Sequence, residues 1–315
     1  MIAQMLRVTE KEALTPLVTR FRFEHPDGAP LPLFSGGAHV VVEMPYGDML
    51  RRNAYSLISA PDDGSGYEIA VRREDNGRGG SRFMHGNVAT GDLMAVTSPF
   101  NLFSLDLRAR KHVLIAGGIG ITPFLSQLHQ LSRMQVPFEL HYAARSREEA
   151  AGLTFLPSLP HIHLHISNEG NRMDLGAILS GQPLGTHVYT CGPEGLIAAV
   201  EDAARRHGWP AAALHSEAFL SPPPGKPFKV TLARSGQTLT VGPHQSLLEA
   251  LEAARIDIPW SCRGGACGQC ETAVTSCKGR IEHNDHWLSD DDCAAQTKIM
   301  PCVSRFEGQE LIIDR

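Results

Sequence analysis

Ser261-Cys262-Arg263-Gly264-Gly265-Ala266-Cys267-Gly268-Gln269-Cys270 is the stretch that decides the reading of this 315-residue chain. Its cysteines are spaced C-x4-C-x2-C on a glycine-rich loop, which makes a cup rather than a ribbon. With Cys302, in Met300-Pro301-Cys302-Val303, they supply four thiolates in the spacing of a 2Fe–2S cluster, whose last ligand comes from far downstream. Such a cluster also needs backbone N–H groups aimed at its sulfides. Gly264, Gly265 and Gly268 let the chain wrap closely enough to provide them. A structural zinc site instead pairs two short C-x(2–4)-C or H-x(3–5)-H units, and here the second half offers one well-placed cysteine. Cys277 and Cys293 stand as alternatives for the fourth ligand.

The rest of the composition sets bounds. The length exceeds one ordinary domain, and 42% hydrophobic residues are enough for several cores. A net charge of −5 gives no sign of a nucleic-acid partner or an anionic membrane. No apolar run approaches the ~18 residues of a membrane helix. Met1-Ile2-Ala3-Gln4 does not open a basic segment followed by an apolar one, so no signal peptide is expected. Seven cysteines, an odd number gathered around a metal-like motif, predict a reducing cytoplasm rather than a disulfide framework.

The first hundred residues read as a small antiparallel β-barrel. Short alternating runs such as Val40–Met44 and Tyr67–Val71 are separated by turn clusters at Pro26-Asp27-Gly28 and Asp62–Gly66. Arg52-Asn53-Ala54-Tyr55-Ser56 gathers an arginine, a ring and a hydroxyl at a strand end, a set suited to a flat polar ring system. Arg73, Arg78, Gly80 and Ser81 flank or form a glycine-rich turn whose amides and guanidinium groups make a phosphate cradle.

Near Leu107 the texture changes. His112-Val113-Leu114-Ile115-Ala116 is a continuous apolar run, the mark of a buried parallel strand. It enters the turn Gly117-Gly118-Ile119-Gly120-Ile121-Thr122-Pro123, then a helical pattern with Phe124, Leu125, Leu128, Leu131 and Met134 on one face. Thr122 is the expected N-cap and Pro123 suits the first turn. A strand, a glycine turn and a helix start suit a dinucleotide pyrophosphate, though the turn is not G-x-G-x-x-G. Strands over 138–144, 161–166 and 187–191, then a helix over 196–207, argue a parallel α/β sheet. His161, His163 and His165 share a strand face, and a polar sheet face accounts for them better than a metal.

Ser221-Pro222-Pro223-Pro224-Gly225-Lys226-Pro227 reads as a linker. Beyond it come a hairpin around Ser235-Gly236 and a short helix capped by Ser246 that carries Leu247, Leu248 and Leu251. The cysteine loop follows, and Leu311-Ile312-Ile313 closes the chain as a strand.

Taken together, four separated motifs and the cysteine set resemble the phthalate dioxygenase reductase and vanillate demethylase reductase group of the ferredoxin–NAD(P)H reductase superfamily. Arg52–Ser56 resembles its flavin-ring motif R-x-Y-S, with Arg52 one residue farther from Tyr55 than the motif has it. Gly77-Arg78-Gly79-Gly80-Ser81 resembles the flavin phosphate loop, and Gly117–Pro123 the nucleotide pyrophosphate turn. Tyr189-Thr190-Cys191-Gly192-Pro193 resembles the motif beside the nicotinamide, and His215-Ser216-Glu217-Ala218-Phe219 the segment closing the flavin site. The gap from Cys270 to Cys302 is slightly long for the family, and a loop insertion at Asp290-Asp291-Asp292 absorbs the excess.

The resemblance implies a multidomain α/β protein. Its parts are an antiparallel β-barrel flavin domain over 1–106, a parallel-sheet NAD(P)H domain over 107–220, a linker at 221–227, and a β-grasp 2Fe–2S ferredoxin domain over 228–315. It implies FMN held by Arg52, Ala54, Tyr55, Ser56, Arg73, Arg78, Gly80 and Ser81. The nicotinamide nucleotide falls to Gly117, Gly118, Gly120, Thr122, Pro123, Arg145, Cys191, Gly192 and Pro193. Ser56, Cys191, Glu217 and Phe219 surround the hydride-transfer position, and Cys262, Cys267, Cys270 and Cys302 hold the cluster. NADH is the implied donor, but Arg145-Ser146-Arg147 stands where a 2′-phosphate of NADPH would be held. The implied acceptor is a Rieske-type oxygenase, with a cytochrome P450 as the alternative. A flavin is required between the two ends because a nicotinamide gives electrons in pairs and a cluster takes them singly.

Overall fold

The computed structural model describes residues 3–47, 49–156, 159–219 and 224–315. Six strands open the chain: β1 (Ala3–Thr15), β2 (Val18–Glu24), β3 (His39–Tyr46), β4 (Met49–Ser56), β5 (Tyr67–Arg72) and β6 (Leu93–Thr97). They form an antiparallel sheet in the order β4-β3-β6-β1-β2-β5. Strict alternation drives it. In β2, Phe21 and Phe23 are fully buried while Arg20 and Arg22 reach outward to Glu68. Each buried phenylalanine contributes roughly 1.5–3 kcal/mol. The two edge strands meet just past β4, where Leu57 bridges Ile69 and the Ile58 N–H donates to Glu68 O at 2.9 Å. That contact curls the sheet into a barrel and puts the end of β4 at its rim.

The expected glycine-rich turn is there, but it opens a helix that the alternation did not foretell: α1 (Gly80–Asn87). Gly79 makes the entry at φ 98, a left-handed conformation that glycine adopts without strain. Met84, fully buried in the barrel core, holds α1 down. With two glycines in eight residues, α1 owes its stability to this packing rather than to propensity.

The second sheet is all parallel: β7 (Lys111–Gly117), β8 (Phe138–Ala144), β9 (Ile162–Ile166), β10 (Thr186–Cys191) and β11 (Leu214–Glu217), in the order β11-β10-β7-β8-β9. It is covered by α2 (Thr122–Met134), α3 (Leu175–Leu179) and α4 (Glu194–Arg206). The unbroken apolar run in β7 has a plain cause. Leu114 and Ala116 pack with Phe124 and Leu128 on one face, and Val113 and Ile115 with Val200 and Ala204 on the other. The chain winds outward through β8 and β9, then returns to the far side of β7 as β10. The C-terminal ends of β7 and β10 therefore flank the point where strand order reverses, the usual place for a ligand in such sheets.

The third sheet is mixed: β12 (Phe228–Leu232), β13 (Thr238–Val241), β14 (Thr272–Glu282), β15 (Lys298–Ile299) and β16 (Arg305–Ile313), in the order β13-β12-β16-β14-β15. β12 and β16 run parallel and the other pairs antiparallel. α5 (Leu247–Ala253) lays Leu247, Leu248 and Leu251 into its core, and α6 (Asp290–Ala295) precedes β15.

Two local expectations are corrected. Thr122 is not the N-cap of α2. Ile121 holds that place, and the Thr122 hydroxyl donates back to Ile119 O at 3.0 Å because a 3₁₀ turn already leads into the helix. Asp290–Asp292 is not a loop but the first turn of α6. The Ser289 hydroxyl caps it, and acidic residues there suit the positive end of the helix dipole. Residues 221–223 of the expected linker lie outside the described residues. Its end is tied to the third unit: the Gly225 N–H donates to Pro243 O at 3.0 Å. No helix among the described residues is long and apolar enough to cross a membrane.

Candidate redox site

Alternation along β4 sorts its side chains into two sets. Asn53 and Tyr55 share a face, and Asn53 Nδ2 donates to the Tyr55 hydroxyl at 3.2 Å. Burial pushes the Tyr55 phenol up to about 12, so it stays a neutral donor. Asn53 lies against the phosphate-loop backbone: a Cβ on Gly80 would fall 2.5 Å from Asn53 Nδ2. Arg52, Ala54 and Ser56 form the other set. Ala54 is exposed and Ser56 buried. Arg52 is not brought to the loop. It binds Glu43 at 2.6 Å and Glu252 of the third unit at 3.0 Å, and it stacks over Trp260.

In the loop itself, the Ser81 hydroxyl accepts the Glu74 N–H at 3.0 Å, and Arg73 is engaged by Asp75. Arg78 turns toward the third unit, where it pairs with Glu249 and donates to His244 O at 3.1 Å. Gly79 could not carry a side chain, since a Cβ would stand 2.6 Å from the Tyr46 ring. The bare backbone at Gly79–Gly80, the start of α1 and nearby guanidinium groups fit the terminal phosphate of a flavin.

The nucleotide turn is built by close backbone approach. A Cβ on Gly120 would lie 2.3 Å from Cys191 O, and one on Gly117 would strike Leu196 and Pro193. The glycine turn after β7 and Cys191-Gly192-Pro193 at the end of β10 therefore touch, and α2 and α4 both start there. Gly118, at φ 54, has open space in front of it, as a pyrophosphate requires. Thr122 and Pro123 are buried at the head of α2. Arg145 is exposed after β8, and Arg147 is held by Glu169 at 2.7 and 3.0 Å.

Cys191 is fully buried, and burial drives its thiol pKa well up, so it is a neutral packing surface rather than a nucleophile. Glu217 pairs with it in the β10–β11 ladder. Glu217 Oε2 is sealed from solvent with no hydrogen-bond partner among the described residues. Burial, and then the charge of Cys262, pushes this carboxyl up to about 8. The nucleotide end of the second sheet therefore comes within electrostatic reach of the cysteine loop. Phe219 beyond it is half exposed.

Four cysteines converge as two pairs. The Cys262 thiol is drawn down by a hydrogen bond from Cys267, and that of Cys270 by one from Cys302. Gly264 and Ala266 N–H groups point at Cys262 Sγ from 3.3 and 3.4 Å. Cys302, not Cys277 or Cys293, is the residue brought to Cys270. Cys277 lies along β14 and Cys293 sits in α6. Among the described residues no three His, Cys, Asp or Glu side chains gather around a single-ion position. Two thiol pairs fit a two-iron cluster, one pair per iron. Gly265 (φ 75) and Gly268 (φ 72) shape the cup, and Arg263 holds a left-handed φ of 53 because Glu252 grips it with two 2.7 Å bonds. The histidine stripe resolves as a polar packing cluster. His163 stacks on His141, and His165 meets His141 at 3.2 Å.

Residues 5–105 match the family of oxidoreductase FAD-binding domains, residues 96–214 the N-terminal domain of dimethylamine monooxygenase subunit DmmA-like proteins, and residues 230–307 the 2Fe-2S iron-sulfur cluster binding domain. Phthalate dioxygenase reductase, a solved structure described as modular for electron transfer from pyridine nucleotides to [2Fe-2S], superposes with a TM-score of 0.89 at 36% identity, covering 99% of this chain and 98% of that one. The chain belongs to the phthalate dioxygenase reductase family. Among the family's relatives, the heme-dependent oxidative N-demethylase beta subunit of Ectopseudomonas mendocina is 46% identical, covering 98% of each chain. The carnitine monooxygenase reductase subunit of Escherichia coli is 45% identical over 98% of this chain and 97% of its own. Like its family, the protein is an oxidoreductase with a flavin-binding and a 2Fe–2S domain, of the kind that serves oxygenase systems.

Sequence reasoning missed the residues that join the units: Arg51, Glu249, Glu252, Trp260 and Arg263. One signal was available. Ser246-x-x-Glu249 is a capping-box pattern, but its second role depends on a neighbour nearly 200 positions away.

Proposed function

We propose that the protein is the reductase of a Rieske-type oxygenase, taking hydride from NADH on FMN and releasing single electrons through the 2Fe–2S cluster. The observation that carries this reading is that the cysteine-bearing unit adjoins both others: Glu249 and Glu252 bind Arg78 and Arg52 of the barrel, and the charge of Cys262 reaches Glu217, the ladder partner of Cys191. A flavin, when bound, accepts electrons in pairs and gives them up singly. The chain's own residues do the rest. Gly117–Pro123 and Cys191–Pro193 orient the nucleotide, with Arg145 at its rim. Tyr55, Ser56 and Ala54 border the ring. Arg78, Gly80 and Ser81 lie at the phosphate, with Arg73 beside them. Cys262, Cys267, Cys270 and Cys302 hold the cluster, and Phe219 and Glu217 close the hydride position.

FMN is favoured over FAD because the Gly77–Ser81 loop suits a terminal phosphate. NADH is favoured because Arg147 is already neutralised by Glu169, leaving a 2′-phosphate to compete with a carboxylate. The functional limits we assign are 1–106, 107–220 and 228–315, joined by 221–227. The unpaired state of all seven cysteines supports a cytoplasmic site of action.

A haem oxygenase as acceptor is the second reading, favoured by the 46% identical heme-dependent relative. Anaerobic stopped-flow mixing of the NADH-reduced protein with a purified Rieske oxygenase and, separately, with a haem oxygenase discriminates the two. The first reading expects Rieske reduction at least ~10-fold faster. The reverse order would replace it with the second.

A further inference from the structure

The barrel and the third unit are joined by a buried charge cluster that no motif predicted. Arg51 is only 3% exposed and Glu249 only 7%. Arg51 Nη1 reaches both Glu249 oxygens, at 3.1 and 3.0 Å, and Arg78 Nη2 reaches Glu249 Oε2. Glu249 is itself immobilised by its helix. Its carboxylate accepts the Ser246 N–H at 2.8 Å, and the Ser246 hydroxyl returns a bond to the Glu249 N–H.

A second layer lies alongside, in which Arg52 and Arg263 face Glu43 and Glu252. Two cations and two anions make that layer neutral. The first layer sets two guanidinium groups against one carboxylate, an excess of one positive charge. Arg51 Nε is buried there without a partner among the described residues. An uncompensated buried cation is expensive, and a site that keeps one is built to receive an anion. Its position says which. Arg51 shares the β4 face with Asn53, the residue packed on Gly80, and Arg78 belongs to the phosphate loop.

We propose that Arg51 is a phosphate-binding residue of the flavin site, and that Glu249 is the positioning residue by which the cluster-bearing unit docks onto the same two arginines. The flavin phosphate and the third unit are thus anchored by one pair of guanidinium groups. This rests on the terminal-phosphate reading of the loop and is independent of which oxygenase is served.

The test uses the full-length protein freed of flavin, titrated with FMN and with riboflavin. The ratio of the two dissociation constants reads the phosphate contact alone. Arg51→Met is expected to lower the preference for FMN by about 10-fold or more while riboflavin affinity holds. Arg51→Lys, which keeps the charge but loses the Nε donor, falls between and serves if the first variant does not fold. Glu249→Gln keeps the preference within about threefold, but slows flavin-to-cluster electron transfer about 10-fold or more in stopped-flow, with flavin reduction by NADH unchanged. An undiminished FMN preference in the Arg51 variants, or an equal loss for both flavins, overturns the first assignment. Unslowed transfer in Glu249→Gln overturns the second. If wild-type protein itself bound both flavins alike, the loop reading would fail instead.

Discussion

Glu217 and Cys191 stand side by side on adjacent parallel strands, a protonatable carboxyl against a neutral thiol at the mouth of the nucleotide turn. Burial first, and the Cys262 charge second, raise the Glu217 carboxyl to about 8. It therefore keeps its proton below that pH and loses it above. The rate of flavin reduction by NADH is expected to fall as pH rises past about 8 in the wild type. In Glu217→Gln that break should disappear and the rate at pH 7 should drop about 100-fold, the low end of the range for a lost proton donor. Stopped-flow absorbance across pH 6–9.5 measures both. A break that persists in the variant would assign it to another group.

The cluster ligands are separable from the flavin. Cys267→Ala or Cys302→Ala should abolish the cluster's visible absorption and its acid-labile sulfide, yet leave flavin reduction by NADH intact. Cys277→Ala and Cys293→Ala should retain a full cluster. Iron and sulfide analysis of the four purified variants checks the set, and loss of iron in Cys293→Ala would reinstate that residue as a ligand.

Two glycines of the nucleotide turn should fail in different ways. At Gly120 the added methyl meets the Cys191 carbonyl at 2.3 Å, so Gly120→Ala must displace backbone and should cost about 1–3 kcal/mol of stability. At Gly118 nothing of the protein stands within 4 Å, and the cost is confined to the φ of 54, about 1–2 kcal/mol. The methyl there projects into the space reserved for a pyrophosphate, so KM for NADH should rise 10-fold or more. Thermal unfolding and steady-state kinetics distinguish the two outcomes. An unchanged KM in Gly118→Ala would remove the turn from the nucleotide site.

Acid should loosen the fold well before its carboxylates are protonated. Burial lowers His39, His112 and His141 to about 4 from an ordinary value near 6.5, with His163 and His165 adding repulsion at His141. Between these limits the unfolded chain binds more protons than the folded one. The stability contributed by keeping each ring neutral is therefore complete above about pH 6.5 and lost as pH falls toward 4, up to about 3 kcal/mol per residue. His39→Leu should flatten the fall in Tm between pH 6.5 and 4.5. An identical slope in that variant would show that His39 does not titrate on unfolding.

Much of this was legible in the chain itself. The short runs Val40–Met44 and Tyr67–Val71 specified strands of a barrel wall, the unbroken run 112–116 a strand buried on both faces, and Cys262-x4-Cys267-x2-Cys270 a metal cup, because each depends on neighbours in sequence. Helix α1 was not legible: its glycines argue against a helix, and only the burial of Met84 in a distant core holds it. Nor was the choice of arginine. Adjacent residues in a strand face opposite ways, so Arg51 and Arg52 look alike in the sequence and part company in the fold.

The sequence by itself determined the kinds of site and their order: ring and phosphate motifs, nucleotide turn, cysteine cup. Only the tertiary structure decided how they meet. It set Glu217 beside Cys191 and within reach of the Cys262 charge, brought Cys302 to Cys270, and gave Arg51 and Arg78 to Glu249. The physical reason is range. Strand alternation and loop spacing are fixed within a few residues, whereas a buried charge finds its partner through packing between surfaces that local preference cannot encode.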